Sequence, residues 1–394
     1  MLNIQELKKH KFIVIGYEHY NPLGVIRSLG ESGIKPYVIM LRSKIKVASL
    51  SKYIKKIFYT QNNEESLDVL IKYFSDEKNK PFVVPCDDNI TELVDKKYEE
   101  LKKHFYISNA GEANRITKYM NKWEICELAR KHGLQFAKSW KVKRGIIPDD
   151  LVYPIITKPI TSYPNWKADY HICSNDAELQ NAYNKIKADD LILQQYIKKE
   201  NELCIDGVVV NGGNDLFVSI ASKYTYILPD YYSMEMKVSN FEDENLYAIF
   251  RKIFKDIKYE GIFSAEFMID KNGNLWFLEV NFRNSTWSYA STKVGMNLPL
   301  LWADGMINKK IDNDAKKKIP DDYVAIAEVG DFSQRVRKYK MITPLQWFYG
   351  VSKANCRFIW NWKDLRPGIL YWIGLILLVI KRKLKDKKSN INFE

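Results

Sequence analysis

Hydrophobic positions in the first 110 residues fall into short apolar runs separated by stretches of helical period. Phe12–Gly16 (FIVIG) and Tyr37–Met40 (YVIM) read as buried strands, with a helix near Pro22–Ser32 between them that Gly33 ends. A second helix at Glu64–Phe74 leads to Pro81–Pro85 and then the polar turn Cys86-Asp87-Asp88-Asn89. Strand–helix alternation of this kind predicts a parallel sheet, whose ligands gather at the carboxyl ends of its strands. Asn21, Arg42 and Asp87 or Asp88 fall at such ends and are substrate candidates; a helix-capping Asp and a solvated Arg would occupy the same positions. The single Gly16 is no dinucleotide fingerprint.

Beyond residue 110 the pattern is first helical, with Met120–Gly133 carrying apolar Trp123, Cys126, Leu128 and Ala129. Strand patterns follow at Leu151–Lys158, Leu191–Ile197, Leu203–Val210 and Leu216–Ser222, with helices near Asp176–Ala188, Glu244–Ile257 and Pro299–Met306. Tyr224–Ser239 is aromatic and mixed in charge. It reads either as the lining of a substrate channel, with Lys237 a cationic contact, or as an exposed hairpin edge.

The densest stretch is 263–283, FSAEFMIDKNGNLWFLEVNFR, two β-type segments around an Asn-Gly step that favours a tight turn. Glu266 lies on the first segment. Glu279, Asn281 and Arg283 recur at period two on the second and so leave one face of it. Glu279 stands between Leu278 and Val280 directly after Trp276-Phe277, so the strand reads as buried on both faces, and a buried carboxylate needs a metal or an arginine. Two carboxylates and an amide oxygen form an oxygen-only set suited to Mg²⁺ or Mn²⁺. Arg283 adds a fork suited to phosphate or carboxylate.

Glu266 and the Glu-x-Asn-x-Arg run of 279–283 resemble the metal and phosphate end of the ATP-grasp superfamily. Three further signatures of that family stand in order within about 160 residues. Lys122, in Asn121-Lys122-Trp123, resembles the first nucleotide lysine, and Lys158, in Ile155-Ile156-Thr157-Lys158-Pro159, resembles the second. Leu191–Ile197 resembles the hinge strand, which implies adenine contacts at Gln194 and at the backbone of Gln195 and Ile197, with Glu202 on the ribose. The resemblance implies ATP with Mg²⁺ held by Glu266, Glu279 and Asn281, and Arg283 and Lys158 acting on the transferring group. It also implies acceptor contacts from Asn284, Ser285 and Thr286, positions that would equally cap a helix or form a turn. The chain departs from the family in two places. Residues 160–171 hold no glycine where many members have a glycine-rich loop, leaving Ser162 and Lys167 as phosphate contacts, and the hinge reads Gln-Gln where many have Glu.

The expected fold is α/β, turning α+β in the nucleotide lobes. It comprises an α/β domain at 1–110, ATP-grasp lobes at 111–310, an extension at 311–365 and an apolar, then polybasic, tail at 366–394. At 394 residues the chain is long enough for these parts. Five scattered cysteines without a Cys-x-x-Cys pair point to reduced thiols and away from structural zinc.

The apolar run Pro367–Ile380 is shorter than the about 20 residues that span a bilayer. Residues 381–394 then carry six basic and two acidic side chains. Apolar, aromatic and polybasic in sequence is the composition of a helix lying in an anionic membrane surface; a buried terminal helix with a solvated tail would also fit. The net charge of +13 is spread along the chain with no basic stripe, which counts against nucleic acid. The N-terminus lacks a secretory pattern, so the active site is expected in the cytoplasm, at the inner face of the plasma membrane.

These features lead to an ATP-dependent carboxylate–amine ligase that works through an acyl phosphate. Among ATP-grasp families the chain most resembles bacterial ligases of the D-aspartate ligase type, with a peptidoglycan or surface-polysaccharide precursor as acceptor. Two alternatives use the same residues: a carboxylase or carbamoyl-phosphate-type enzyme, and a non-catalytic nucleotide-binding protein at the membrane.

Overall fold

The structure is a computed structural model that describes residues 2–160, 166–229 and 232–374. Its contacts divide the chain into two compact units, one of residues 1–116, 204–264 and 281–394, the other of residues 117–203 and 265–280. The boundaries do not follow contiguous segments, because one hydrophobic core draws the two ends of the chain together.

In the first unit Phe12–Gly16 sits between Tyr37–Leu41 and Phe82–Pro85, with Lys56–Thr60 at the outer edge, all parallel. All five residues of Phe12–Gly16 are buried, as expected where both faces of a parallel strand are covered. Ile13 and Ile15 face one core with Leu67, Leu70 and Phe74 of helix Asn63–Phe74. Phe12 and Val14 face the other, a core shared with Leu23 and Ile26 of helix Tyr20–Glu31, Trp302 of helix Leu298–Asn308, and Phe358. The α/β pattern read from the sequence is present, and strand Lys56–Thr60, which it missed, completes the sheet's edge. The five cysteines are buried and none is in a disulfide.

The C-terminal segment is fastened to this unit by a buried ion pair. The Arg27 guanidinium donates from Nε to Asp364 Oδ2 at 3.0 Å and from Nη1 to the Phe358 carbonyl at 2.7 Å. Residues 311–365, expected as a C-terminal extension, belong to the same unit as the N-terminal sheet.

The second unit holds an antiparallel sheet in the order Ser139–Lys143, Asp190–Gln195, Ile155–Pro159, Ile172–Cys173. Leu179 and Tyr183 of helix Asp176–Tyr183 pack on Ile155, Leu191 and Leu193. Helix Lys122–Lys131 starts at the N-cap Asn121, whose Oδ1 accepts from the Trp123 and Glu124 amides.

The hairpin predicted at 263–283 is formed by Gly261–Ile269 and Leu275–Asn281, but its turn differs. The loop runs through Asp270–Asn274, with Gly273 at φ +82°. Asp270 organises it: one carboxylate oxygen accepts from the Asn272 and Asn274 amides, the other from Asn274 Nδ2 and Trp276 Nε1. A local carboxylate thus takes the place of the two-residue Asn-Gly turn. Nor is strand Leu275–Asn281 buried on both faces, since only Phe277 and Val280 are closed off. Glu279 is partly exposed and paired with a lysine.

Candidate active site

In the second unit Lys122, Lys158, Glu266 and Glu279 gather into one electrostatic cluster. Lys122 Nζ lies 3.3 Å from Glu279 Oε2. Burial works against the Lys122 ammonium, but Glu279, Tyr170 and Glu266 outweigh it and hold its pKa above the ordinary lysine value. Lys158 is moved the other way. Burial, and after it the charge of Lys122, brings Lys158 down to about 8. Two lysines of one unit therefore differ in kind: Lys122 is firmly charged by its carboxylates, whereas Lys158 is poised to gain or lose a proton near neutrality.

Lys158 Nζ donates to Gln194 Oε1 at 2.6 Å, and Gln194 Nε2 donates to Ser139 Oγ at 2.9 Å. The Gln194 amide, expected at adenine, thus holds the second lysine in this structure. The departure from Glu at this position fits that role, since a neutral carbonyl accepts from an ammonium without tying its charge. The Gln195 amide donates to the Lys138 carbonyl at 2.8 Å within the sheet, and Ile197 lies just past the end of strand Asp190–Gln195. Glu202 is buried and ion-paired with Lys199 at 2.8 Å.

Tyr170, overlooked in the sequence, belongs to this cluster: it interacts with Lys122, and its ring centroid lies 5.9 Å from Lys158 Nζ. It stands next to the end of the glycine-free segment 160–171. Ser162 and the side chain of Lys167 lie outside the described residues.

In the first unit Arg283 is held as a fork. Its Nε and Nη2 donate to the two Asp88 oxygens at 2.7 and 3.0 Å, and Nη2 also reaches Asn281 Oδ1 at 3.1 Å. His19 is close enough to Arg283 that burial and that charge bring its pKa down to about 4, so the imidazole is neutral at pH 7. Asp87 caps helix Asp88–Lys96 through the Ile90 amide at 3.0 Å, and burial raises its carboxyl. Arg42 lines a cavity of about 390 Å³ with Ser43, Lys44, Lys46 and Tyr59, just past the carboxyl end of strand Tyr37–Leu41.

The other substrate candidates also lie in the first unit. Asn21 and Asn284 are buried and bonded to each other, Asn284 Nδ2 to Asn21 Oδ1 at 2.6 Å and Asn21 Nδ2 to the Asn284 carbonyl at 2.9 Å. Ser285 donates to Asp206 Oδ1 at 2.5 Å, and Ser288 donates to the same oxygen at 2.9 Å. Burial pushes Asp206 up to about 6 despite these bonds. Lys237 is exposed on strand Glu235–Ser239, opposite Lys223. Of the aromatic stretch, Tyr226 donates to Asp331 and lies under Arg335, whose guanidinium carbon is 4.3 Å from the ring centroid. Residues 230 and 231 lie outside the described residues.

Among the described residues no cluster of three His, Cys, Asp or Glu side chains is placed to hold a metal. What the hairpin offers is two carboxylates, Glu266 and Glu279, with the Asn281 amide two positions further along the strand. Both carboxylates act on one ammonium, so negative potential is concentrated there. Hard oxygen donors of this kind fit Mg²⁺.

No family model matches the chain. Solved structures do. An L-amino acid ligase from Bacillus licheniformis superposes with a TM-score of 0.58 at 15% identity, over 76% of this chain and 74% of that one. The ADP complex of an N5-carboxyaminoimidazole ribonucleotide synthetase gives 0.62 at 16% identity, over 84% of each chain. The biotin carboxylase domain of the Hydrogenobacter thermophilus 2-oxoglutarate carboxylase, with MgADP and bicarbonate, gives 0.61 at 17% identity, over 78% and 72%. At these identities the likeness establishes the architecture: the chain has the ATP-grasp fold.

Proposed function

We propose that this protein is an ATP-dependent carboxylate–amine ligase. The observation that carries the reading is the cluster of Lys122, Lys158, Glu266 and Glu279 on an ATP-grasp fold. ATP brings about four negative charges, and phosphoryl transfer asks a protein chiefly for positioning and charge neutralisation. Lys122 and Lys158 supply positive charge for phosphate oxygens. Glu266 and Glu279 would hold magnesium, which would supply neutralisation of charge on the phosphates. Arg283, braced by Asp88, offers a fixed fork for an anionic group.

The reaction has two steps. A substrate carboxylate oxygen attacks the γ-phosphorus of ATP and ADP leaves, giving an acyl phosphate. An amine nitrogen then attacks the acyl carbon, phosphate departs, the nitrogen gives up a proton, and an amide remains. The cationic cavity at Arg42, Lys44 and Lys46 suits an anionic part of the substrate, such as a phosphate or a second carboxylate. An amino-acid donor and a cell-envelope precursor as acceptor, met at the cytoplasmic face of the membrane, suit that chemistry and the polybasic tail.

The deciding assay is phosphate release from Mg-ATP by the purified protein across L- and D-amino acids, with and without envelope precursors. Release dependent on one carboxylate and one amine, with an amide as product, supports the ligase. ATP bound but never turned over with any pair would favour a nucleotide-binding role; turnover dependent on bicarbonate alone would favour the carboxylase reading.

Lys158 adds a pH dependence. With its pKa near 8 in the free protein, a bound phosphate draws a proton onto it. ADP affinity should therefore be flat below pH 8 and fall by up to about tenfold per unit above it. Lys158→Arg, charged throughout, should flatten that slope in calorimetry. A slope unchanged in the variant would assign the proton to another group.

A further inference from the structure

Exposed large apolar side chains are unevenly distributed. Of fifteen among the described residues, nine fall between Met341 and Ile373. Helix Pro344–Lys353 has no buried residue and presents Leu345, Phe348 and Tyr349 to solvent, three positions on one face. Helix 365–374 presents Leu365, Ile369 and Ile373, also on one face. Both helices are seated on the same ring. Phe332 meets Trp347 of the first edge-on at 4.9 Å and Trp372 of the second at 6.3 Å. An ordinary surface helix turns its apolar face inward, whereas these two hold apolar faces outward from a fixed seat.

Charge identifies what covers them. Residues 332–374 hold eight Lys and Arg but one acidic residue, in a chain with 48 acidic residues. That one, Asp364, is fully buried against Arg27. Arg337, Lys338, Lys340, Lys353, Lys363 and Arg366 are exposed. A second copy of the chain would bring the same positive face to a two-fold interface and be repelled. An anionic lipid surface complements both the charge and the apolar side chains.

We propose that helices Pro344–Lys353 and 365–374 form a docking platform for an anionic bilayer. Leu345, Phe348, Leu365 and Ile369 enter the headgroup region, and the flanking basic side chains meet lipid phosphates. This extends the membrane placement proposed above from the apolar run and polybasic tail to helix Pro344–Lys353 and the basic side chains around it, and it does not depend on the ligase chemistry.

The test is sedimentation of the full chain with vesicles of phosphatidylcholine alone or mixed with phosphatidylglycerol, at low and high salt. The wild type should prefer the anionic vesicles and lose that preference in salt. L345S/F348S/Y349S, with all three side chains already exposed, should keep its melting temperature and ADP binding yet bind anionic vesicles about 10- to 100-fold more weakly. K381Q/R382Q/K383Q, in the tail, serves as the comparison. Loss in the tail variant alone would overturn the platform and leave the tail as the anchor; no binding by the wild type would overturn both. A wild-type dimer in light scattering that the platform variant makes monomeric, with vesicle binding unchanged, would assign the face to a second copy and overturn the proposal. ATP turnover, measured on the same samples, reports separately on the ligase reading.

Discussion

Glu279→Gln is expected to lower substrate-dependent phosphate release by about a thousandfold or more while leaving the protein folded. The change is isosteric and removes one negative charge. In the free protein that charge neutralises Lys122 at 3.3 Å and, with Tyr170 and Glu266, holds its ammonium against burial. The pair is only partly buried, so its loss should cost less than about 1 kcal/mol of stability. Two readouts separate the site from the fold. Turnover with Mg-ATP should collapse, because one of the two carboxylates that would hold the metal is gone. Binding of metal-free ADP should persist or tighten, because Lys122 is released from its ion pair to meet phosphate. Calorimetry in EDTA reads the second quantity. Turnover within about tenfold of wild type would place the chemistry elsewhere than this hairpin.

The sequence disclosed the cluster's members better than their partners. Lys158 stood out because two isoleucines precede it and a proline follows, and Lys122 because it opens a helix; both lie in one unit with Glu266 and Glu279. That Gln194 receives Lys158, or that Tyr170 joins Lys122, depends on a sheet in which Ile156 pairs with Gln194 across strands, and no local pattern encodes that register. Strand 275–281 read as two-sided because Trp276, Phe277, Leu278 and Val280 are all apolar. Only Phe277 and Val280 are closed off, since chain composition says nothing of what lies over each face. Lys56–Thr60 was missed because an edge strand is half-exposed and tolerates Lys and Tyr in place of a continuous apolar run. The helix expected near Glu244–Ile257 has those bounds, because a 3.6 period is a local feature. Asn21 and Asn284, 263 positions apart, illustrate the opposite: the first reads as a polar group at a strand end and the second as an acceptor contact or a cap, and each is the other's partner.

The longest-range contact of this kind also carries the largest stability effect expected. Arg27→Met should cost about 3–5 kcal/mol, read as a fall in the urea midpoint. Arg27 and Asp364 side chains are both 0% exposed. Arg27 also donates to the carbonyls of Phe358, Ile359 and Asp364, at 2.7, 2.9 and 3.2 Å. The Asp364 carboxylate accepts in addition from Ser51 Oγ at 2.7 Å and from the Lys52 amide at 3.0 Å. Methionine fills much of the arginine's space but leaves a buried carboxylate without its cation and three carbonyls of buried residues without that donor. The cost is mainly that of the uncompensated charge, so the double variant Arg27→Met/Asp364→Leu should recover part of it. A loss below about 1 kcal/mol would mean that water reaches the pair on opening and that the C-terminal segment is only loosely attached. The pair clamps residues 358–364 to the helix Tyr20–Glu31, and helix 365–374 begins at the next residue. Arg27→Met should therefore also weaken binding to anionic vesicles in conditions where the rest of the protein stays folded, because the platform loses the anchor at its base.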